Sequence, residues 1–397
     1  MENSKIVHFM DLALLSPFFI ESFKKISDDS VFYILSDSGF EPDYVDNSNV
    51  FALNTSSISD ISEVVSNINK SSIDCVIFHF LNREKEEIAN KLQKEIKKVW
   101  CIWGHDLYNQ NSFFPYRQYE KITEEYLNKN SSLKDRIFKK QLVKKIIFEF
   151  LLFNKKIGLN SKFHARYYES FGVDKYLTIQ SFDAISFIVP KEGLLISKIF
   201  PDKKYLHLYS DPTLPFFAHF ETIKPNSKNI LVGNSAAFTN NHLDTFNLIK
   251  DYSLDDRKVI VPLSYGGTKD YIDTVIKKGR ELFGENFLPL IERMPLKEYS
   301  ELLSTCGVAI MNQRRQQSGG NLFHLVGSGV KVFINPNNGF YDYFKKNRIS
   351  IFSVEDLHES EINNIQPLTQ NRQAILDLYS HDHFNNEINK LLKILGK

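Results

Sequence analysis

Residues 307–336, GVAIMNQRRQQSGGNLFHLVGSGVKVFINP, decide how the chain folds. An apolar run at 308–311 leads into two arginines, two glutamines and a Ser-Gly-Gly turn. A helical segment follows from Asn321, then Gly-Ser-Gly, then a second apolar run at 330–334. Strand, polar glycine-rich loop, helix and strand make a βαβ unit with a loop suited to an anion. Adjacent glycines permit close backbone approach, and a helix start offers unpaired N–H groups at the positive end of its dipole. Arg314 and Arg315 add charge that suits a diphosphate. Gln316, Gln317, Ser318, Gly319, Gly320 and Asn321 form the rest of the expected cradle, while His324, one turn into the helix, reads as packing.

The same alternation extends outward. Residues 230–232 read as a strand ending in Gly233-Asn234-Ser235, and 258–262 as another whose loop carries Tyr265. Residues 296–304 form a helix leading into the opening motif. In the first half, strands are expected at 5–9, 31–35, 76–80 and 99–103, with helical segments at 61–69 and 83–97. This pattern predicts α/β architecture, with parallel sheets, helices on both faces and ligands at the carboxyl ends of strands. The residues closing those strands are His8, Asp11, Asp37, His79 and the run Gly104-His105-Asp106. A polar, proline-containing stretch at 221–228 places a boundary between domains 1–224 and 225–397. The last helix, 385–395, is expected to fold back onto one of the two, with the N-terminal domain as the candidate.

The 397 residues suffice for two such domains. Forty-nine basic against 48 acidic residues leave a net charge of +1, which argues against a nucleic-acid partner. The three cysteines have no metal-site spacing and fit a reducing cytoplasm. The N-terminus reads as a first strand, not a signal peptide, and no apolar run is long enough to span a membrane. The expected location is cytoplasmic, free or peripheral on the membrane face. Residues 134–157 carry a basic amphipathic helix, with Leu142, Val143, Ile146, Ile147, Phe150 and Leu151 on one side. Lys144, Lys145, Lys155 and Lys156 lie opposite or at its edge. Such a helix either rests on anionic lipid or packs on a core with a solvated lysine face.

Two Rossmann-like domains facing a cleft form the architecture of GT-B glycosyltransferases. Four motifs carry a closer resemblance: IWGHDLY (102–108), ILVGNSAAFTNNHL (230–243), KVIVPLSYGG (258–267) and RQQSGGN (315–321). They resemble the bacterial family that transfers 4-acetamido-4,6-dideoxygalactose (N-acetylfucosamine) from its dTDP form to a lipid-linked disaccharide in enterobacterial common antigen assembly. The resemblance runs in patches from His8 to about 353 and is strongest between 230 and 335. It implies an inverting enzyme of GT-B type that needs no metal or other cofactor. Its partners would be a dTDP-sugar donor and a polyprenyl-diphosphate-linked or other cell-envelope glycan acceptor, met at the cytoplasmic face of the inner membrane. Two features of the sequence agree: no DxD motif lies in a loop suited to a Mg²⁺-diphosphate site, and the helix after Gly320 lacks the paired glutamates, seven residues apart, of many retaining GT-B enzymes.

On this reading Gly233, Asn234 and Ser235 would hydrogen-bond the diphosphate or sugar, and Tyr265 would stack on or hydrogen-bond thymine. Asp106 is the leading candidate for the base that deprotonates the acceptor, with His79, His105 and Asp11 as alternatives. The chain departs from the family at His105, which stands where the WGxDLY motif has a small residue, and in the longer, aromatic stretch at 109–133. The competing readings are a transferase of the same fold using a UDP- or GDP-sugar on a polysaccharide acceptor, and a non-catalytic nucleotide-sugar-binding component of a glycan assembly complex.

Overall fold

Apolar runs such as CVIFH, VIVP and KVFI are buried along their whole length, which requires cover on both faces of a sheet. The computed structural model describes residues 5–11, 16–24, 27, 29–36, 49–110, 112–132, 140–159, 162–207, 223, 226–378 and 380–396. Asp37 and residues 134–139 of the basic segment lie outside them.

The first sheet contains β1 (Ile6–Asp11), β2 (Val31–Ser36), β3 (Val50–Asn54), β4 (Cys75–His79), β5 (Lys97–Cys101), β6 (Ala184–Ser186) and β7 (Lys204–Leu206). Among the described residues its order is β3-β2-β1-β4-β5-β6-β7, parallel throughout. Its helices are α1 (Ser16–Lys24), α2 (Ile58–Lys70), α3 (Arg83–Lys91), α4 (His105–Tyr108), α6 (Gln141–Lys156), α7 (Lys162–Ser170), α8 (Val173–Gln180), α9 (Pro190–Ile196) and the C-terminal α17 (His381–Leu395). One cluster on this sheet centres on Phe9, Phe78 and Trp100, and another on Ile6, Phe32 and Ile77.

The second sheet contains β8 (Asn229–Val232), β9 (Val259–Pro262), β10 (Phe287–Leu290), β11 (Cys306–Met311), β12 (Lys331–Ile334) and β13 (Phe352–Ser353). It is parallel in the order β10-β9-β8-β11-β12-β13. Its helices are α5 (Lys121–Lys129), α10 (His242–Ile249), α11 (Lys269–Phe283), α12 (Leu296–Leu303), α13 (Gly319–Gly327), α14 (Gly339–Lys346), α15 (Glu359–Asn363) and α16 (Gln370–Leu378).

The chain divides into two compact units, and neither is continuous. One comprises 1–116, 134–213 and 379–397; the other comprises 117–133 and 214–378. A single cut between 224 and 225 therefore misassigns residues 117–133. Their helix α5 belongs to the second unit because Asp244 supplies the cap that its own flank lacks. The Asp244 carboxylate accepts from Ile122 N (2.7 Å), Thr123 N (2.9 Å) and Thr123 Oγ1 (2.6 Å), satisfying donors that a helix start leaves open. The expected helix over 83–97 also ends early, at Lys91. Leu92 turns extended, and Gln93 N is held by Asn69 Oδ1 at 3.0 Å.

The last helix packs on the first sheet. Phe384, Ile388 and Leu391 of α17 are buried in the cluster containing Phe19 and Phe23, with the rings of Phe23 and Phe384 crossing edge-on at 5.0 Å. Ile388→Ala should lower the stability of the first unit by about 2–5 kcal/mol, because a fully buried side chain is removed. A urea titration checks this.

Candidate active site

In the second sheet the strand order reverses between β8 and β11, which opens a crevice at their carboxyl ends. The chain leaves β8 through Gly233 and β11 through residues 312–318, so the expected donor loops flank that point. Gly233 has φ +68°, and a Cβ there would meet Asn240 Oδ1 at 2.7 Å. That close approach is the reason for glycine. Asn240 then ties the loops together. Its Oδ1 accepts from Asn234 N (3.0 Å) and Gln313 Nε2 (2.7 Å), and its Nδ2 donates to Ser235 O (2.8 Å). Gln317 Nε2 donates to Asn234 Oδ1 at 3.1 Å, and Asn234 Nδ2 donates to the Tyr265 hydroxyl at 2.9 Å. Asn234, Ser235, Tyr265 and Gln317 are thus brought into one network.

Asn338 fixes the arginine loop from the other side. Its Nδ2 donates to the carbonyls of Gln313 (2.9 Å) and Arg315 (2.8 Å), while its Oδ1 caps α14 by accepting from Phe340 N (3.1 Å). The two arginines have different environments. Arg314 Nη1 pairs with Glu120 at 2.7 Å and its Nε donates to Arg117 O at 3.2 Å. Its charge is balanced by Glu120 within the unit. Arg315 is buried, with Nη1 donating to Gln316 O at 2.9 Å.

Three buried atoms of this loop, Gln313 Oε1, Gln316 Oε1 and Ser318 Oγ, find no hydrogen-bond partner among the described residues. Such orphans cost roughly 1–3 kcal/mol each. Ser318, with φ +54°, precedes Gly319, Gly320 and Asn321 at the start of α13, which has no side-chain cap and no acid in its first turn. A ligand with an anionic group for the helix start and donors for the glutamine carbonyls would satisfy this loop. Asn321 Nδ2 donates to the Tyr299 hydroxyl at 3.2 Å, and His324 is buried on α13.

The first sheet reverses between β1 and β4. Here Asn82 caps α3 by accepting from Lys85 N (3.1 Å), and its Nδ2 donates to Asp11 Oδ1 (3.2 Å). The fully buried Lys85 donates from Nζ to Asp11 Oδ2 (2.6 Å) and to Phe80 O (3.0 Å). Phe80 adopts a left-handed backbone, φ +55°. The Asp11 side chain remains 36% exposed. Burial raises its pKa above the usual carboxylate value, against the opposing pull of Lys85.

Asp106 has a different task. Its Oδ2 accepts from Trp100 Nε1 (2.8 Å) and Leu81 N (3.1 Å), and its Oδ1 from Trp103 N (3.0 Å). The carboxylate is buried and committed to joining the exits of β4 and β5. His79 is also a core residue. Its Nε2 lies 3.1 Å from His8 Nδ1 with the rings stacked, and burial holds its pKa well below the usual histidine range. His105 is exposed, stacks on Phe80 and lies 2.6 Å from Asn109 Nδ2 through its Nε2. Sequence reasoning missed Asn82, Lys85, Asn240, Gln313, Asn338 and Glu120. The asparagine pair at 240–241 and the NPNN run at 335–338 were the available signals, since asparagine at a strand exit satisfies loop backbone.

The basic helix α6 presents two apolar sides. Phe148, Leu151 and Leu152 are buried, while Leu142, Ile146, Phe150, Phe153 and Ile157 recur at helical spacing and are 57–71% exposed. Lys145 and Lys156 are exposed, whereas Lys144 is half-buried. Lys155 pairs with Asp174 at 3.1 Å and lies over the Tyr168 ring. The expected grouping of Leu151 with Leu142, Ile146 and Phe150 on one face is therefore split. No helix among the described residues is long and apolar enough to cross a membrane.

Residues 202–393 match the family described as 4-alpha-L-fucosyltransferase, glycosyl transferase group 56. The chain is similar in structure to a glycosyltransferase from Rickettsia africae (TM-score 0.61, 11% identity, all of both chains) and to sucrose-phosphate synthase from Thermosynechococcus elongatus (0.61, 8%, 99% of each). It is also similar to WaaG, a glycosyltransferase involved in lipopolysaccharide biosynthesis (0.50, 11%, 98% of this chain and 99% of that one). The fold is GT-B. With the family match, the chain is a glycosyltransferase.

Burial holds His8, His242 and His324 neutral, with pKa values near 3, and lowers those of His79 and His207. Below the ordinary histidine value of about 6.5 the unfolded chain binds more protons at these sites, so they lose stability as pH falls. Glu86 acts oppositely. Burial raises it from 4.5 to about 7, so its contribution is present at low pH and lost as pH rises through 7. The calorimetric midpoint should fall on acidification from pH 7 to 5, and fall more steeply in Glu86→Gln.

Proposed function

We propose that the chain is an inverting glycosyltransferase that moves a 4-acetamido-4,6-dideoxygalactose-like sugar from a dTDP donor to a lipid-linked or other cell-envelope glycan. The observation that carries the donor side is the β8/β11 exit, where three buried acceptor or hydroxyl atoms adjoin an uncapped helix start. The fucosyltransferase match supports a 6-deoxyhexose donor, since fucose is 6-deoxygalactose. In this reading the start of α13 and Arg315 receive the diphosphate. Asn234, Ser235 and Tyr265 meet the nucleoside or sugar, and the glutamine carbonyls accept from its N–H and O–H groups. Inversion is supported by the sequence of α13, GGNLFHLVG, which contains no glutamate.

Asp11 is the base in this proposal, in preference to Asp106. It stands at the reversal point of the first sheet with a partly exposed carboxylate, and its raised pKa brings that carboxylate closer to the range useful for general-base work. In an inverting displacement it takes the proton of the acceptor hydroxyl as that oxygen attacks the anomeric carbon, and dTDP departs with the bonding pair. Fixed positive groups at the leaving diphosphate make a metal unnecessary, so transfer should persist in EDTA. The exposed apolar stripe of α6, flanked by Lys145 and Lys156, is proposed to lie on anionic lipid, where a lipid-linked acceptor is presented.

dTDP, but not UDP or GDP, should raise the melting temperature; stabilisation by UDP or GDP alone would overturn the nucleotide assignment. Asp11→Asn should lower kcat about 10²–10⁴-fold with dTDP affinity within twofold, whereas Asp106→Asn should show its main loss in stability. Unchanged kcat in Asp11→Asn removes it as base. Wild type should float with phosphatidylglycerol vesicles and the triple variant Ile146→Ser, Phe150→Ser, Phe153→Ser should not. Vesicle-independent dimerisation of wild type, abolished in that variant, would assign the stripe to a second copy instead.

A further inference from the structure

The first unit holds a pocket of about 720 Å³ between α3, α7 and α8, closed on one side by Lys155 of α6. Among the described residues four basic and four acidic side chains line it, so their formal charges balance. Most of them are mutually paired. Arg83 Nη1 meets both carboxylate oxygens of Glu169 at 3.1 Å, Lys175 lies 3.5 Å from Glu86, and Lys155 lies 3.1 Å from Asp174. Asn90, Gln110 and Thr178 add neutral donors and acceptors, with Asn90 Nδ2 donating to Thr178 Oγ1 at 2.9 Å. Among the described residues no aromatic side chain lines the pocket, and Ala165 and Leu177 contribute apolar surface. Formally balanced charge disfavours a diphosphate or a polycation, and the charged side chains along the wall disfavour a lipid chain. A hydroxyl-rich neutral ligand fits: the paired side chains and the neutral amides and hydroxyl offer both donors and acceptors, and the volume lies in the range of small-ligand sites.

We propose that this pocket is a saccharide subsite that binds sugar units of the acceptor beyond the one that receives the transferred sugar, an inference that rests on the function proposed above. Position supports it. The first turn of α3 sends Asn82 and Lys85 to Asp11, while Arg83 and Glu86 of the same turn line the pocket. Lys175 donates from Nζ to Leu81 O at 2.6 Å, joining the pocket wall to the strand exit that Asp106 holds. A glycan with its reactive hydroxyl at Asp11 therefore has the pocket beside its next units. Lys155 comes from the helix whose outer face carries the apolar stripe, so a lipid-linked glycan has its sugar site and its proposed lipid contact on neighbouring elements. Burial raises the Glu86 pKa to about 7, the kind of perturbation found at working sites.

The test uses the full chain and free N,N′-diacetylchitobiose as probe, with saturation-transfer NMR. Wild type should saturate the sugar protons, and the double variant Glu86→Gln, Asn90→Ala should lose the effect by tenfold or more while still binding dTDP like wild type. Absence of saturation transfer in wild type, or its persistence in the variant, overturns the subsite. A second variant, Thr178→Val, guards against misfolding of the first and should weaken saturation transfer; an unchanged signal in that variant counts against the subsite. In transfer assays the double variant should raise KM about tenfold for an acceptor of two or more sugars and leave kcat and the single-sugar acceptor unchanged. Equal losses on both acceptors would contradict the subsite. Failure of wild type to transfer to any acceptor, with chitobiose binding intact, would instead count against the proposed function alone.

Discussion

A parallel sheet buried on both faces leaves its strand ends with backbone groups that must be paired as the chain turns away, and this constraint shapes both candidate sites. The chain meets it with amide side chains. Asn240 takes up the exits of β8 and β11, Asn338 holds the carbonyls of residues 313 and 315, and Asn82 caps α3 while reaching Asp11. Because these amides saturate the structural demands, the groups left over stand out. In the second unit they are the orphaned atoms of Gln313, Gln316 and Ser318 at an uncapped helix start. In the first unit the corresponding reversal presents the one-third exposed carboxylate of Asp11, gripped by a buried lysine.

The division of the chain follows the same logic of satisfaction. Residues 117–133 join the second unit because Asp244 offers three hydrogen bonds to the start of α5, and because Glu120 neutralises Arg314 while also accepting from Asn335 Nδ2. The C-terminal helix joins the first unit because Phe384, Ile388 and Leu391 complete a cluster that includes the Phe19–Phe23 pair. Each unit is therefore completed by a segment distant in sequence. One segment is attached through charge-assisted bonds and the other through burial.

The α6 helix shows how an ordinary amphipathic reading can be incomplete. A wheel with apolar residues on one side and lysines on the other gives no reason to separate Leu151 from Phe150. Packing buries Phe148, Leu151 and Leu152 and leaves Leu142, Ile146, Phe150 and Phe153 outside, so the exposed surface is the apolar one. Two of the four lysines stay with that surface. Lys155 turns inward to Asp174 and becomes part of a pocket wall.

The alternation of short apolar runs with amphipathic segments determined the α/β class, and the long buried runs were legible because parallel strands read as continuous hydrophobic stretches. Strands β3, β6, β7, β10 and β13 were not legible: β6, β7 and β13 are very short, and those at the sheet edges bury less and so carry a weaker apolar signal. The glycine-rich loop at 312–321 could be read as an anion cradle because the chemistry of a helix start is local. The fate of each charged group in it was not local. Arg314 and Arg315 are neighbours of identical type, yet one is neutralised by Glu120, 194 residues away, and the other is buried beside its own loop. Asp11 ends β1 and Asp106 lies in the short helix that follows β5, and sequence offers no means of ranking them. Only the tertiary structure decided that Asp106 is buried with its oxygens on three N–H donors while Asp11 stays 36% exposed, because hydrogen-bond partners and solvent access are properties of what the fold brings together.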